Sequence, residues 1–263
     1  MGDKSPIQCT DATWNPSTGC SKVSPGCKNC YAERLSQRLK KMGNPKYKRG
    51  FRFTLHNDAI DLPLKWKRPR KIFVNSMSDL FHESMPDTFL EKCFEVMEEA
   101  DWHVYQILTK RPHRMLMFAK QYGVIRDHIW LGTSVELDMY SPRIEILRQT
   151  PAKVKFISFE PLLGPIGKVD LNGISWAIVG GESGPDHRPV RAEWVREIRK
   201  QCKRQGVAFF FKQWGGRTAK AGGRILDGRE WNEYPERLPG VLELPLLVEA
   251  GDTPNRETQD GAP

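Results

Sequence analysis

Three of the six cysteines lie within eleven residues, at Cys20, Cys27 and Cys30, with the spacing C-x6-C-x2-C. The surrounding segment is rich in Pro, Gly, Ser and Asn, which favour turns over regular structure. A helix-forming run follows at once, from Tyr31 to about Lys41. A loop of this kind can direct three thiolates inward to one point, as metal and iron–sulfur sites require. The spacing therefore predicts a metal centre held by the three cysteines.

Other interpretations of the cysteines stay open. A structural zinc site normally has four ligands, and Cys9, His56 or His82 could supply the fourth. A disulfide with one spare thiol is disfavoured, because disulfide frameworks are typical of short secreted proteins and we expect no signal peptide here. Without an obvious fourth ligand one metal position would stay open, which indicates chemistry rather than scaffolding. Cys93 and Cys202 lie on apolar faces of predicted helices, where we expect inert buried thiols.

The cysteine loop, which follows a short strand and precedes a helix, resembles the cluster loop of radical S-adenosylmethionine (SAM) enzymes. More closely, the chain resembles a phage- and prophage-associated radical-SAM-like family over roughly residues 7 to 235. The matching segments are Trp14-Asn15-Pro16, Gly19-Cys20, Gly26-Cys27-x-x-Cys30-Tyr31-Ala32-Glu33, Asn75-Ser76-Met77-Ser78-Asp79-Leu80-Phe81, Leu108-Thr109-Lys110-Arg111-Pro112, Gly132-Thr133-Ser134-Val135-Glu136, Ser158-Phe159-Glu160-Pro161-Leu162, Gly180-Gly181-Glu182-Ser183-Gly184 and Phe211-Lys212-Gln213-Trp214-Gly215.

This resemblance implies a specific chemistry. In the radical SAM superfamily three cysteines hold a [4Fe–4S] cluster, and the fourth iron binds the amino and carboxylate groups of SAM. One electron, supplied through an electron donor, then cleaves the sulfonium and yields a 5′-deoxyadenosyl radical. The chain departs from the superfamily in two places. Six residues separate Cys20 from Cys27 where three are usual, and Asn29 stands where an aromatic residue usually precedes the last cysteine.

Short apolar runs alternate with stretches of helical spacing from Lys71 onward, and this alternation predicts βαβ units with a parallel sheet. The predicted strands are Ile7–Thr13, Ile72–Val74, Val104–Leu108, Ile129–Gly132, Val154–Ser158, Ile174–Val179 and Val207–Phe211. The predicted helices after the first are Asp87–Ala100, His113–Tyr122, Ser141–Arg148 and Glu193–Gln205. With about seven strands and no G-x-G-x-x-G motif after any of them, we predict an α/β fold, a partial or complete parallel β/α (TIM-like) barrel of the radical SAM type.

The barrel is predicted to span residues 1–235. Residues 42–71, which are basic and aromatic, form an insertion after the first helix, and residues 222–235 contain a hairpin that turns at Asp227-Gly228. Residues 236–263 are polar and poor in large apolar side chains, so we expect an extended, largely disordered tail. No apolar run approaches the roughly 20 residues that span a membrane, and we expect a soluble cytoplasmic protein.

Polar residues follow each predicted strand, and in parallel β/α folds the carboxyl ends of the strands gather the functional residues. They predict a pocket lined by charged and hydrogen-bonding groups, although a capped turn explains any single one. The resemblance to radical SAM barrels implies that Asn75, Ser76 and Ser78 meet the amino group of SAM or its neighbours. It also implies that Ser134 and Glu136 meet the ribose hydroxyls.

The candidate catalytic residues are Glu160, Glu182 and Lys212, each near the end of a predicted strand. Gly180-Gly181-Glu182 resembles a motif that binds the SAM amino group in many radical SAM enzymes, but it lies much later in the chain than usual. We therefore assign it to the substrate or to the adenosyl end of SAM. Lys110, Arg111 and Lys212 are the cationic candidates for binding a carboxylate or a phosphate.

The net charge of +9 is concentrated in one segment. Between Arg34 and Lys71 there are 13 Lys and Arg against two acids, a balance of +11, whereas the rest of the chain has a balance of −2. Basic residues interleaved with aromatic rings favour nucleic acid, although a solvated face with anchoring rings gives the same pattern. We predict a radical-SAM-type enzyme acting in nucleic-acid modification or repair. The alternative is a phage-associated, zinc- or cluster-containing nucleic-acid-binding protein without radical chemistry, and the sequence gives no oligomeric state.

Overall fold

The computed structural model describes residue 5 and residues 7–235. Seven parallel strands form its main sheet. They are β1 (Ala12–Trp14), β4 (Lys71–Val74), β5 (Val104–Thr109), β6 (Ile129–Ser134), β7 (Lys155–Phe159), β8 (Trp176–Gly180) and β9 (Ala208–Gln213). They lie side by side in chain order, with β1 and β9 at the two edges, and the sheet curls as a half-barrel. The predicted α/β fold with a partial parallel barrel is confirmed.

The helices of the described residues connect these strands. They are α1 (Tyr31–Lys41), α2 (Asp87–Glu99), α3 (Pro112–Tyr122), α4 (Pro142–Arg148) and α5 (Ala192–Gln205). The predicted boundaries agree within two residues for the helices. They differ more for the first strand, which begins at Ala12 and not at Ile7. Residues 7–10 instead form a turn, closed by the Thr10 N–H bonding the Ile7 carbonyl at 3.2 Å.

Both faces of the sheet are covered, as parallel sheets require. Because side chains alternate along a strand, β8 shows how the faces divide. Ala177 and Val179 pack in the main core with the helices, whereas Trp176 and Ile178 point to the inner face. The inner face holds a second cluster that consists of Cys9, Phe156, Trp176, Ile178 and Phe210. The inside of the half-barrel is therefore packed at this level.

The predicted insertion, residues 42–71, is part of the connection between β1 and β4. It contains β3 (Thr54–Leu55), which pairs antiparallel with β2 (Ser17–Thr18) in the cysteine loop. From the carboxyl end of the sheet the segment runs back to the amino end, where the Arg70 carbonyl accepts a hydrogen bond from the Val104 N–H at 2.8 Å. The segment is thus built into the fold on the cysteine side.

The predicted hairpin turns at Asp227 and Gly228, which have φ values of 53° and 81°. Leu226 and Arg229 exchange backbone hydrogen bonds across this turn, as in a two-residue hairpin. The predicted tail, residues 236–263, lies outside the described residues. Among the helices that the structure describes, none has the length and apolar character needed to cross a membrane.

Candidate metal centre

The three clustered cysteines lie on one loop at the carboxyl end of β1. Cys27 ends a short 3-10 turn, and Cys30 is the residue directly before α1. All six cysteines are free thiols, but Cys20, Cys27 and Cys30 are partly exposed, whereas the other three are buried. Cys93 and Cys202 pack in the core, as predicted, and burial raises the pKa of Cys202 to about 12. Only the clustered thiols therefore combine exposure with proximity in sequence.

Residues after β4 hold the beginning of this loop. Asn75 adopts the left-handed conformation with φ 58°, and its Nδ2 donates to Ser17 Oγ at 3.0 Å. The Ser17 hydroxyl bonds Ser78 Oγ at 3.1 Å, and the Ser78 hydroxyl donates to the Gly19 carbonyl at 2.7 Å. The predicted cofactor-binding residues Asn75 and Ser78 thus contact the segment directly before Cys20.

Ser76 contacts the loop on both of its sides. Its hydroxyl donates to Asn15 Oδ1 at 3.3 Å, and the Met77 N–H bonds the same oxygen at 2.9 Å. The Ser76 carbonyl accepts a hydrogen bond from the Tyr31 hydroxyl. Ser76 therefore joins the residues before the cysteines to the first residue of α1.

Glu136 is fully buried and bonds the middle of the cysteine loop. Its carboxylate accepts hydrogen bonds from the Ser24 hydroxyl and from the Gly26 N–H, the latter at 3.4 Å. A Cβ at Gly26 would lie 3.0 Å from Glu136 Oε1, so only glycine permits this approach without a shift. Arg143 Nη1 bonds Glu136 Oε2 at 3.0 Å and the Ser134 carbonyl at 2.9 Å. Ser134 and Glu136 thus lie together beside the loop.

Glu182 bonds the last part of the loop. Glu182 Oε2 accepts three hydrogen bonds of 2.9 Å, from Asn29 Nδ2, from Arg188 Nε and from the Arg188 N–H. Arg188 Nη2 also donates to the Pro25 carbonyl at 3.0 Å. Burial raises the pKa of Glu182, but the hydrogen bonds from Arg188 and Asn29 and the charge of Arg188 together lower it by more, so the net pKa is below its ordinary value. Sequence reasoning missed Arg188, since an arginine in a loop carries no local signal of its partner.

Arg111 lies against Cys20. Its Nη1 donates to Asp79 Oδ2 at 2.9 Å and lies 3.6 Å from Cys20 Sγ, while Nη2 donates to Ser21 Oγ at 2.7 Å. Glu83 accepts from Arg111 Nε at 2.6 Å. Burial and then the Asp79 charge raise the pKa of Cys20, Arg111 opposes them, and the result is about 11. The predicted cation Arg111 is therefore a direct neighbour of the first cysteine.

Burial is the main cause that raises the pKa of Cys20 and of Cys30, and a charge on the Cys27 sulfur adds a smaller rise to both. Burial raises the pKa of Cys30, while the N–H groups of Ala32 and Glu33 at the start of α1 oppose that rise. Within the residues that the structure describes, no three His, Cys, Asp or Glu side chains converge on the site of a single ion.

Each of the possible fourth ligands named from the sequence has another packing or hydrogen-bond partner in the structure. Cys9 packs in the inner cluster with Trp176 and Phe210. His56 Nε2 bonds Thr18 Oγ1 at 2.8 Å. His82 Nε2 bonds Ser21 Oγ at 3.1 Å, and its ring stacks on Phe53 with 4.4 Å between the ring centroids. The two histidines support the loop as hydrogen-bonding and packing groups.

Glu160 and Lys212 form an ion pair in which Lys212 Nζ bonds both carboxylate oxygens, at 2.8 and 2.9 Å. Burial lowers the pKa of Lys212, but Glu160 and the nearby Cys9 together raise it by more, so the ammonium stays charged. The three predicted catalytic residues do not form one group. Glu160 pairs with Lys212, whereas Glu182 pairs with Arg188 and Asn29.

A groove of about 550 Å³ opens between the first turns of α3 and α4, at the carboxyl ends of β5 and β6. Its lining consists of Phe81, Glu83, Lys110, Arg111, Pro112, His113, Arg114, Met139, Tyr140, Pro142, Arg143 and Ile146. Of the predicted site residues, Lys110 and Arg111 line this groove, and Arg111 also forms its wall toward Cys20.

Comparison with known proteins gives one family match and distant structural likenesses. A family model described as "Protein of unknown function (DUF5131)" matches residues 4–235. No curated protein matches the chain. A structure of spore photoproduct lyase complexed with dinucleoside spore photoproduct is similar with 12% identity and a TM-score of 0.47 over 74% of each chain. A mutant of that lyase with the same ligand is similar with 13% identity, a TM-score of 0.47 and the same coverage.

Proposed function

The chain belongs to the DUF5131 family, and we propose that it is a radical-SAM-type enzyme whose clustered cysteines hold a [4Fe–4S] cluster. The observation that carries this proposal is the cysteine loop itself. Its three thiols are partly exposed, and residues at the carboxyl ends of four parallel strands bond the loop around them. Functional residues of parallel β/α folds gather at that end.

The donor set fits this group. Three thiolates of a [4Fe–4S] cluster surround one cluster but each bind a different iron, whereas the ligands of a zinc ion all bind the same atom. The cysteines here interact without forming such a single-ion site in the part of the chain that the structure describes. When bound and reduced, the cluster would supply the electron that cleaves SAM to methionine and a 5′-deoxyadenosyl radical.

Burial disfavours negative charge on the sulfurs of Cys20 and Cys30, and neighbouring groups partly offset this effect. Arg111 lies beside Cys20, and the first N–H groups of α1 lie beside Cys30, where the positive end of a helix dipole lowers the energy of a thiolate. The Asp79 charge also raises the pKa of Cys20, although the acids at the loop carry a compensating cation. Asp79, Glu136 and Glu182 are each paired with an arginine, as the contacts with Arg111, Arg143 and Arg188 show.

We propose that Asn75, Ser76, Ser78, Ser134 and Glu136 act first as positioning residues, because their side chains or backbone bond the loop or its anchors. Direct contact of these residues with SAM stays a prediction. So do catalytic roles for Glu160, Glu182 and Lys212. The charged Lys212 suits the binding of an anionic substrate group better than proton abstraction.

The proposal is tested on protein purified without oxygen. We expect a brown protein with about four irons per chain, as the cluster stoichiometry requires. Cys20→Ala, Cys27→Ala and Cys30→Ala should each lose the iron, whereas Cys93→Ala, which changes a buried thiol in α2, should retain it. After reduction with dithionite in place of the natural electron donor, the wild-type protein should slowly form 5′-deoxyadenosine from SAM. A colourless, air-stable protein with one zinc per chain would contradict the proposal.

The second candidate is a cluster- or zinc-containing nucleic-acid-binding protein without radical chemistry. The charge balance of +11 within Arg34–Lys71 favours it, because that segment also packs on the cysteine loop. The same assay separates the two functions. A cluster that forms normally but produces no 5′-deoxyadenosine would support the second candidate. For the enzyme, the same charge leads us to propose a nucleic acid as the class of substrate.

A further inference from the structure

The fold divides the basic segment into two surfaces at opposite ends of the sheet. The part up to residue 52 begins and ends at the cysteine loop, since α1 starts directly after Cys30 and the Cys20 N–H bonds the Phe51 carbonyl at 3.3 Å. Lys65, Lys67 and Arg68 come directly before β4 and therefore lie at the amino end. Although the sequence shows one basic stretch, only its first part can contact a molecule bound at the cysteine loop.

The first part carries six exposed cations, which we name the loop-side surface. They are Arg38, Lys40, Lys41, Lys48, Arg49 and Arg52. No acidic residue occurs between Arg34 and Arg52, and none of the six has an ion-pair partner among the described residues. Two neighbours differ, since Arg34 bonds the Ser183 carbonyl at 2.6 Å and Lys46 pairs with Asp58 at 2.9 Å.

Unpaired arginines are unusual elsewhere in this structure. Arg111, Arg143 and Arg188 near the loop have acid partners, and so do Arg148 and Arg196 on the surface helices. Cations crowded together without acids repel one another and oppose folding. Their concentration beside the cysteine loop therefore points to a polyanionic ligand that neutralises them when it binds.

Exposed apolar side chains accompany these cations along α1. Tyr31, Leu35 and Met42 are 48%, 39% and 69% exposed and lie on one side of the helix, because they follow at intervals of four and seven residues. Tyr31 comes directly after Cys30, and its hydroxyl bond to the Ser76 carbonyl fixes the ring. Phe53 is not available in the same way, since its ring stacks on His82.

We propose that the loop-side surface binds a single-stranded nucleic acid, with phosphates on the six cations and a base stacked on Tyr31. Cations that follow a backbone, combined with an accessible ring, are the two elements of single-strand binding. The strand would lead to the cysteine loop, since Tyr31 borders Cys30. Any chemical modification of the base at that loop rests on the proposed function, whereas the binding of the nucleic acid to the loop-side surface does not.

The test measures the affinity of the full chain for labelled 12-nucleotide DNA and RNA strands at several salt concentrations. Contacts with six phosphates predict a slope of about −4 for log affinity against log salt, from the coefficient for single strands. The variant Lys41→Gln, Lys48→Gln, Arg49→Gln should make the slope shallower by about 2. The matched variant Lys65→Gln, Lys67→Gln, Arg68→Gln removes the same charge at the other end of the sheet and should leave the slope unchanged. Comparison of the affinities for the DNA and RNA oligonucleotides identifies which nucleic acid is preferred.

The aromatic contact is tested separately. Tyr31→Ala should weaken single-strand binding about tenfold and duplex binding little, because only unpaired bases can stack on the ring. Tyr31→Phe keeps the ring and should bind as the wild type does.

Equal slopes for the two triple variants, no binding at low salt, or equal binding of polyglutamate would overturn the proposal. If the protein cleaves SAM but binds no single-stranded nucleic acid, the surface proposal is overturned while the proposed function is supported. If the protein binds single-stranded nucleic acid through this surface without cleaving SAM, the surface proposal is supported and the enzymatic function is contradicted.

Discussion

At the scale of single residues, the acids Asp79, Glu136 and Glu182 beside the cysteine loop are each paired with an arginine. The sequence predicted Glu136 and Glu182, because both follow strands of a parallel sheet, where side chains gather at one edge. It carried no indication of Arg143 or Arg188 as their partners. Ion pairs of this kind depend on how helices and loops pack, which no local pattern encodes. Glu182 therefore anchors the loop through Asn29 and Arg188, whatever its predicted catalytic role, and this anchoring can be tested.

We expect Glu182→Gln to lower the free energy of unfolding by about 2 kcal/mol at pH 7, the usual effect of losing hydrogen bonds to a charged group. The Glu182 side chain is only 5% exposed, so solvent screens the interaction little. Because its folded-state pKa is depressed, its contribution is present above the ordinary pKa and is lost as the pH falls through the folded-state pKa. The difference between wild type and variant should therefore shrink below about pH 4.5.

Urea unfolding at a series of pH values measures this difference. Glu193→Gln is the control, because Glu193 is 65% exposed and its contact with Arg191 at 3.9 Å is a surface pair that contributes little. A Glu182→Gln variant as stable as the Glu193→Gln variant at pH 7 would show that the pair does not anchor the loop.

At the scale of elements, the sequence predicted most of the fold and little of the cysteine loop's support. Helices and strands of four or more residues carry a readable period, and all but the first strand occur within two residues of their predicted positions. The strands β2 and β3 have two residues each, which is too short for any period to appear. Their pairing connects the predicted insertion to the cysteine loop, so the contact that matters most for the site was the one without a signal.

Gly19 tests this contact between elements. It has φ +82°, and a Cβ there would lie 2.3 Å from the Arg52 carbonyl oxygen, so Gly19→Ala must push the insertion away from the loop. Gly43 is the matched control, since it has φ +74° but a Cβ there would meet no atom of the other described residues within 4 Å. We expect Gly43→Ala to cost about 1 kcal/mol, the backbone strain alone. Gly19→Ala should cost more and should also lower the iron content after anaerobic purification. Equal stability and equal iron content in both variants would contradict this account.

At the scale of the whole molecule, the half-barrel leaves two open edges, and the end of the described chain covers one of them. The Trp231 carbonyl accepts a hydrogen bond from the Phe211 N–H at 2.9 Å, and Asn232 bridges to Phe210, so this segment lies along β9. Tyr234 then reaches across the amino end of the sheet, where Lys71 Nζ lies 4.5 Å above its ring. The sequence indicated a hairpin here, but long-range contacts of this kind follow only from the curvature of the sheet.

Tyr234 therefore joins parts of the sheet that lie far apart in strand order. Its ring centroid is 5.2 Å from that of Trp176 and 5.5 Å from that of Phe210, so the side chain completes the inner cluster. We expect Tyr234→Ala to lower the free energy of unfolding by about 3 kcal/mol, as loss of a packed aromatic ring does. Tyr234→Phe keeps the ring and its contacts with Trp176 and Lys71, so it should change the free energy of unfolding by less than about 1 kcal/mol. Because the cysteine loop lies at the opposite end of the sheet, folded Tyr234→Ala protein should bind as much iron as the wild type. Chemical unfolding and iron analysis of the two variants measure both effects, and a loss of iron from the folded Ala variant would show that the two ends of the half-barrel are coupled.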